Sequence, residues 1–305
     1  MKKQTASEPA VRVAPKKAAA SPKRATVLDF GRAGDAGATS HYDDAAYYDQ
    51  AYRSRRDDVA YYVRLGRLLG GPVLEYGIGT GRIALPLARA GIEVVGVDSS
   101  REMLAGLERR LAREPDDIRR RVTRRRGDMR EVRLRRRFPL VIAPFNVVQH
   151  LYERTDVEAF LARVREHLAP SGRFVFDVLV PHARDLGADP AKRYGAPRFR
   201  HPTAGGLVRY GERFDYDAIR QVLLVTMEFE PLDGQRGFAV PLTHRQFFPR
   251  ELEALLHYNG FGDLVITADF TDGPPELDAQ SLVFNCRAVP GRRSRSSRPP
   301  GRRTR

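Results

Sequence analysis

Val73 to Asp98 reads VLEYGIGTGRIALPLARAGIEVVGVD, in succession a strand, a glycine turn, a helix and a second strand. Val73 and Leu74 open a short apolar run, and Gly77, Gly79 and Gly81 form a G-x-G-x-G turn. Ile83, Leu85, Leu87 and Ala88 carry the helix, in which Pro86 is expected to cost one backbone bond. Ile92 to Val97 is apolar and rich in β-branched residues, the pattern of a strand buried on both faces, and it ends in Asp98. Glycines let the backbone turn sharply and approach a ligand, while the next helix presents free N–H groups. An acidic residue about 20 positions beyond such a turn can accept from both ribose hydroxyls of an adenosine ligand. Asp98 stands at that place.

The adenosine ligand is narrowed by what the turn lacks. The dinucleotide fingerprint G-x-G-x-x-G needs its third glycine at position 82, where the chain has Arg82. Glu75, on the strand before the turn, is poorly suited to cradling a pyrophosphate. A ligand with an amino acid in place of phosphates fits better. The stretch resembles motif I and the following acidic strand end of class I S-adenosylmethionine-dependent methyltransferases. That resemblance implies an α/β, Rossmann-like seven-stranded fold of strand order 3-2-1-4-5-7-6. It also implies S-adenosylmethionine as cofactor and methyl transfer to an N or O acceptor by in-line displacement. It places the methionine portion on Glu75 and the turn from Gly77 through Thr80 to Gly81, and the ribose on Asp98. Ser99, Met103 and Asn146 complete the expected cofactor wall.

Composition bounds the alternatives. A chain of 305 residues can bury one full α/β core with an insertion, or two small domains. The single cysteine, Cys286, excludes a disulfide framework, a cysteine-based zinc site and a cysteine-held iron–sulfur cluster. No metal is expected. No apolar run approaches membrane-spanning length and the N-terminus lacks the apolar core of a signal peptide, so no membrane partner and a cytoplasmic setting are expected. The net charge of +15 resides mostly in the ends: residues 1–24 carry +6 and residues 291–305 carry +7, leaving +2 for 25–290. Residues 1–40 and 291–305 are expected to be disordered basic tails, solubilising or weakly attractive to acidic partners.

The rest of the chain is consistent with one domain over 41–290. His41 to Leu69 is helical and rich in tyrosine, with Tyr48 and Tyr52 on one face. Ser99 and Glu102 suggest a capping box for the helix bearing Met103, Leu104, Leu107 and Leu111, and Thr155 and Glu158 suggest another. Residues 109–137 hold fourteen arginines against five acids, either a solvated face or an RNA-backbone patch. Within them Gly127-Asp128-Met129 resembles the family element in which Asp accepts from the adenine amino group and the apolar neighbour lies on the ring. Phe138 to Val148 is the next buried strand and its exit, so Ala143, Pro144, Phe145 and Asn146 should line the pocket. Base-modifying amino-methyltransferases carry Asp or Asn, Pro, Pro and an aromatic here, and this chain departs from them. His150 follows, an imidazole suited to a general base or to orienting the acceptor.

Pro170-Ser171-Gly172 is read as a turn into a fifth strand. Three strand-like runs follow, Leu207 to Tyr216, Gln221 to Glu230 and Phe238 to Phe247, inside an insertion of about 182–247. An antiparallel insertion there resembles small-molecule methyltransferases, in which it roofs the acceptor pocket or forms a homodimer contact. Arg209, Tyr210, His244 and Arg245 are candidates to face the acceptor. The expected function is methylation of a small-molecule acceptor, with His150, Tyr48 and Tyr52 on its side. The alternative is an RNA or ribosome-associated methyltransferase using the arginine stretch and basic tails to hold nucleic acid.

Overall fold

The computed structural model describes residues 37–195 and 198–289. The tails expected at either end fall almost wholly outside them.

Among the described residues twelve strands occur in chain order: β1 Val73–Tyr76, β2 Val94–Asp98, β3 Val122–Arg126, β4 Phe138–Ala143, β5 Leu168–Leu179, β6 Tyr194–Gly195, β7 Phe199–Arg200, β8 Leu207–Asp217, β9 Val222–Pro231, β10 Phe238–Arg245, β11 Phe261–Ala268 and β12 Ser281–Ala288. The helices are α1 Ala45–Ala51, α2 Asp57–Leu69, α3 Ala84–Arg89, α4 Arg101–Leu111, α5 Asp116–Arg119, α6 Arg154–His167, α7 Ala183–Leu186 and α8 Pro249–Tyr258. Two single 3₁₀ turns, Ser40–Tyr42 and Val147–His150, matter for the site.

The main sheet has seven strands in the order β11-β12-β5-β4-β1-β2-β3. β1 to β5 pair in parallel, and β12 runs antiparallel to both β5 and β11. This is the expected 3-2-1-4-5-7-6 arrangement. β1 and β4 sit at the centre, which explains their unbroken burial from Val73 to Tyr76 and at Leu140 to Ala143. One face is covered by an apolar layer around Tyr76, Phe160, Phe174 and Phe284, the other by a layer around Tyr62, Ile83, Leu107 and Ile142. A second sheet of five strands, β6 to β10, has the order β10-β9-β8-β6 with β7 paired to β8. It is held to α1 by a small cluster of Tyr47, Val208, Met227, Phe229 and Leu242.

Several local expectations change. Pro86 is the third residue of α3, between Leu85 and Leu87, whose N–H groups bond the carbonyls of Gly81 and Ile83 at 3.0 and 3.1 Å, so the one bond its ring costs lies at the very start of the helix. The cap of α4 is Ser100, which accepts from the Met103 N–H at 3.1 Å, one residue later than the Ser99–Glu102 box. β2 extends to Asp98, and Asp98 takes the Ser100 N–H, which sets that register. α6 begins at Arg154 after Glu153 with no side-chain cap, so Thr155 lies inside the first turn. Residues 170–172 do not end the ladder. They bulge out of β5 between Leu168, which pairs with Phe138, and Arg173, which pairs with Leu140. The tyrosine-rich helix is split between Ala51 and Asp57.

Candidate functional site

The site forms where the parallel strands β1, β2 and β4 end, as the open-sheet rule requires. Here a cavity of about 1100 Å³ is lined by Glu75, Gly77, Gly79, Asp98, Asp128 and Phe145, among others. Gly77 has φ +70°, and a Cβ there would lie 2.3 Å from Val147, so only glycine lets the turn pass under the 3₁₀ segment. Gly79 (φ +55°) gives its N–H to Asp98 Oδ2 at 2.8 Å. Asp98 Oδ1 accepts from Ser100 at 2.8 Å. One carboxylate thereby fixes the glycine turn and the α4 start together.

Glu75 is buried, and its Oε2 has no hydrogen-bond partner. Burial pushes its carboxyl well above the ordinary range, against the pull of nearby Arg82. Arg82 binds Asp58 through two nitrogens at 2.9 and 2.5 Å and lies 4.3 Å from the Phe145 ring centre. A cation is thus held in place without occupying the free oxygen of Glu75. Asp128 is tied to Arg130 at 2.6 Å, which lowers its pKa, and Met129 lies beside it on the wall. α1 is latched to the glycine turn, because Asp49 accepts from Thr80 Oγ1 at 2.5 Å and from Arg110 at 3.2 Å.

A second chamber of about 570 Å³ opens between α1 and the second sheet. Tyr42 and Phe145 line both cavities and form the partition. Phe145 and Asn146 hold left-handed backbone, φ +62° and +64°. Asp177 supports it, accepting from their N–H groups at 2.9 and 3.2 Å and from Tyr62 Oη at 2.6 Å. Burial raises Asp177 to about 6.

On the crevice side of the partition, His150 Nε2 is 2.7 Å from Tyr42 Oη. Burial, with His41 nearby, pushes His150 down to about 4. The imidazole is therefore neutral through the physiological range and acts as a hydrogen-bond partner; it does not titrate near neutrality as its residue type suggested. His41 and His244, both lining the chamber, are lowered for the same reason. Two buried polar atoms in the chamber wall have no partner among the described residues: His41 Nδ1 and Asn146 Oδ1.

Of the residues expected at the site, Glu75, Gly77, Gly79, Thr80, Asp98, Ser99, Met103, Asp128, Met129, His150 and Tyr48 share the larger cavity. Asn146 and Tyr52 line the chamber instead, with Tyr52 Oη 2.9 Å from His41 Nε2. Gly81 lies below the wall with φ +80°. Tyr210 and His244 also reach the chamber, Arg245 reaches the larger cavity, and Arg209 turns to Glu230 at 3.6 Å. Tyr42, Arg82 and Asp177 carried no local signal, since their partners are remote in sequence.

Comparison with known proteins agrees with this geometry. Residues 73–172 match the family model described as a methyltransferase domain. The chain is 26% identical over 225 residues to the putative methyltransferase YqeM of Bacillus subtilis, covering 70% of this chain and 83% of that one. It is 30% identical over 126 residues to dTDP-3-amino-3,4,6-trideoxy-alpha-D-glucopyranose N,N-dimethyltransferase of Streptomyces venezuelae, covering 41% of this chain and half of that one. The solved structure of the CcbJ methyltransferase from Streptomyces caelestis superposes with a TM-score of 0.68 at 28% identity, over 78% of this chain and 98% of that one. The matched family model spans the glycine turn and the ends of β1, β2 and β4 described above, so residues 73–172 carry a methyltransferase domain, and the fold is that of the solved CcbJ methyltransferase.

Proposed function

We propose that this protein transfers a methyl group from S-adenosylmethionine to a nitrogen or oxygen of a small-molecule acceptor held in the chamber under the second sheet. The observation that carries this is the partition: Tyr42 and Phe145 separate a carboxylate-lined crevice from an aromatic chamber. The N,N-dimethyltransferase relative acts on an amino sugar, which supports a small amine as one acceptor class.

The crevice suits the cofactor by its donor set. Glu75 offers a buried, unpartnered oxygen to an ammonium, and Asp98 offers a carboxylate at the tip of β2 to ribose hydroxyls. Asp128 and Met129 would hold the adenine. An array of acceptors is wrong for a diphosphate and right for a cationic amino acid. The cofactor, when bound, supplies a methyl group already activated by sulfonium charge. The protein's part is to align donor and acceptor and exclude water. Tyr42 Oη, bonded to neutral His150, stands on the partition between the two cavities and can hydrogen-bond the acceptor, orienting its lone pair toward the methyl group while its proton leaves to solvent. Tyr48 packs on this partition through Tyr42 and Phe145. Tyr52 reaches it from the chamber side, its ring 4.8 Å from that of Phe145.

The test is incubation with methyl-labelled cofactor and fractionated cell extract. Label is expected in the small-molecule fraction, and a Tyr42→Phe variant should slow its transfer while binding S-adenosylhomocysteine normally. Label entering RNA or protein would overturn the proposal.

A further inference from the structure

Beyond the chamber lies a third cavity, of about 800 Å³, between the outer face of α2 and the α3–α4 side of the main sheet. Seven arginines line it, with Asp49 the one acid among the lining residues. Three of them have carboxylate partners: Arg64 with Asp272, Arg82 with Asp58 and Arg110 with Asp49. Arg53, Arg55, Arg56 and Arg67 have none among the described residues, and all four are exposed. Arg56, which precedes α2 as its cap, and Arg67 in its last turn stand along one face of the helix with Ala60 and Val63 between them.

This concentration is not just the high arginine content of the chain. In the arginine-rich stretch 109–137, seven of fourteen arginines bridge carboxylates, spread over α4, α5, β3 and the loops beyond. The four guanidinium groups around the third cavity that lack a carboxylate partner, Arg55 among them with its group 5.6 Å from the Phe145 ring centre, instead converge on one concavity, where like charges repel and the field is focused. An anion relieves that repulsion, and the guanidinium fork fits phosphate or carboxylate oxygens two at a time. Position then says what the anion belongs to. Tyr52, Arg53 and Arg55 line both this cavity and the aromatic chamber, so the two are joined by a common lip.

The geometry points to an acceptor that is itself an anion: its reacting nitrogen or oxygen lies in the chamber, and a phosphate, diphosphate or carboxylate group lies on Arg53, Arg55, Arg56 and Arg67. This rests on the chamber being the acceptor site, as proposed above, and adds the substrate class. A nucleic-acid backbone is the poorer occupant. The arginines ring a pocket instead of forming a stripe, and among the described residues Tyr52 is the only aromatic side chain lining it, too few for a platform of stacked bases.

The test is calorimetric titration of the full chain, with and without S-adenosylhomocysteine, using inorganic pyrophosphate, succinate and a short single-stranded RNA as separate probes. Pyrophosphate or succinate is expected to bind at one saturable site, whichever binds tighter identifying the anion. The double variant Arg53→Gln/Arg56→Gln should weaken that binding about tenfold or more, as loss of two charge-assisted contacts implies. The control Arg120→Gln/Arg125→Gln removes equal charge from exposed positions elsewhere and should leave it unchanged. All four positions are exposed, and S-adenosylhomocysteine affinity reports that each variant is folded. In the extract experiment the labelled product should be retained on an anion exchanger. Absence of anion binding, equal loss in the control, or a labelled product that flows through overturns the inference. RNA that binds tighter than either small anion, with the same dependence on Arg53 and Arg56, overturns it in favour of nucleic acid. Failure of S-adenosylhomocysteine to bind while pyrophosphate still does would sink the cofactor assignment and leave the anion seat standing.

Discussion

Asp98 performs two tasks with one carboxylate, and both bear on what its loss would do. It ties Gly79 and Ser100 together, and in the function proposed above it is also the acceptor for the ribose hydroxyls. Hydrogen bonds to a charged acceptor contribute about 1.5–3 kcal/mol each, so Asp98→Ala should weaken S-adenosylhomocysteine binding at least tenfold by calorimetry. Unchanged affinity would remove it from the cofactor wall. Glu75 presents the opposite balance. Its folded-state pKa is raised, so the folded protein holds the proton more tightly than the unfolded chain and Glu75 loses stability for the fold as pH rises above the ordinary carboxyl value. Glu75→Gln should therefore raise the denaturation midpoint at neutral pH and lower cofactor affinity; a variant weaker in both respects would contradict the account. For His150, whose pKa of about 4 leaves it neutral above that value, the turnover profile should carry no inflection from this residue between pH 5 and 8. His150→Ala should slow turnover with near-normal cofactor affinity, and full activity would exclude it.

At the scale of elements, the turn after β4 depends on a residue two strand-lengths away. Asp177 on β5 receives the two N–H groups of a left-handed pair and the Tyr62 hydroxyl of α2. Tyr62→Phe leaves a buried carboxylate short of one donor, and the expected cost is about 1–3 kcal/mol in urea denaturation, with slower turnover as Phe145 loses its fixed position. A wild-type midpoint would show that the hydroxyl carries no such weight. This coupling marks the limit of what residue order reveals. Strands β1, β2 and β4 announce themselves by apolar runs ending at glycine, Asp98 or the Ala-Pro-Phe-Asn exit, because both their faces are buried. The cap of α4 slips from Ser99 to Ser100, since Asp98, only two residues earlier, accepts the Ser100 N–H and fixes the helix start there. The helix from His41 to Leu69 breaks before Asp57, whose carboxylate with that of Asp58 opens the first turn of α2.

For the whole molecule, the seven-stranded order followed from the family resemblance carried by the glycine turn, Asp98 and Gly127-Asp128-Met129, whereas the partition and both cavities beyond it did not. The chamber exists because the second sheet folds back over α1, bringing Tyr47, Phe199 and Phe229 together across long sequence separations, and the arginine-lined cavity because α2 packs beside α3 and α4. His150 was legible as a candidate by its place after β4; its partner Tyr42, over a hundred positions earlier, was not. Among the described residues no helix is long and apolar enough to cross a membrane. The most direct measurement is a crystal structure with S-adenosylhomocysteine. The account predicts ribose hydroxyls on Asp98, the amino group on Glu75 and adenine beside Asp128 and Met129, with the homocysteine sulfur facing Tyr42 and Phe145. A ligand lodged elsewhere, or a crevice above β1 and β2 that stays empty at saturating ligand, would contradict it.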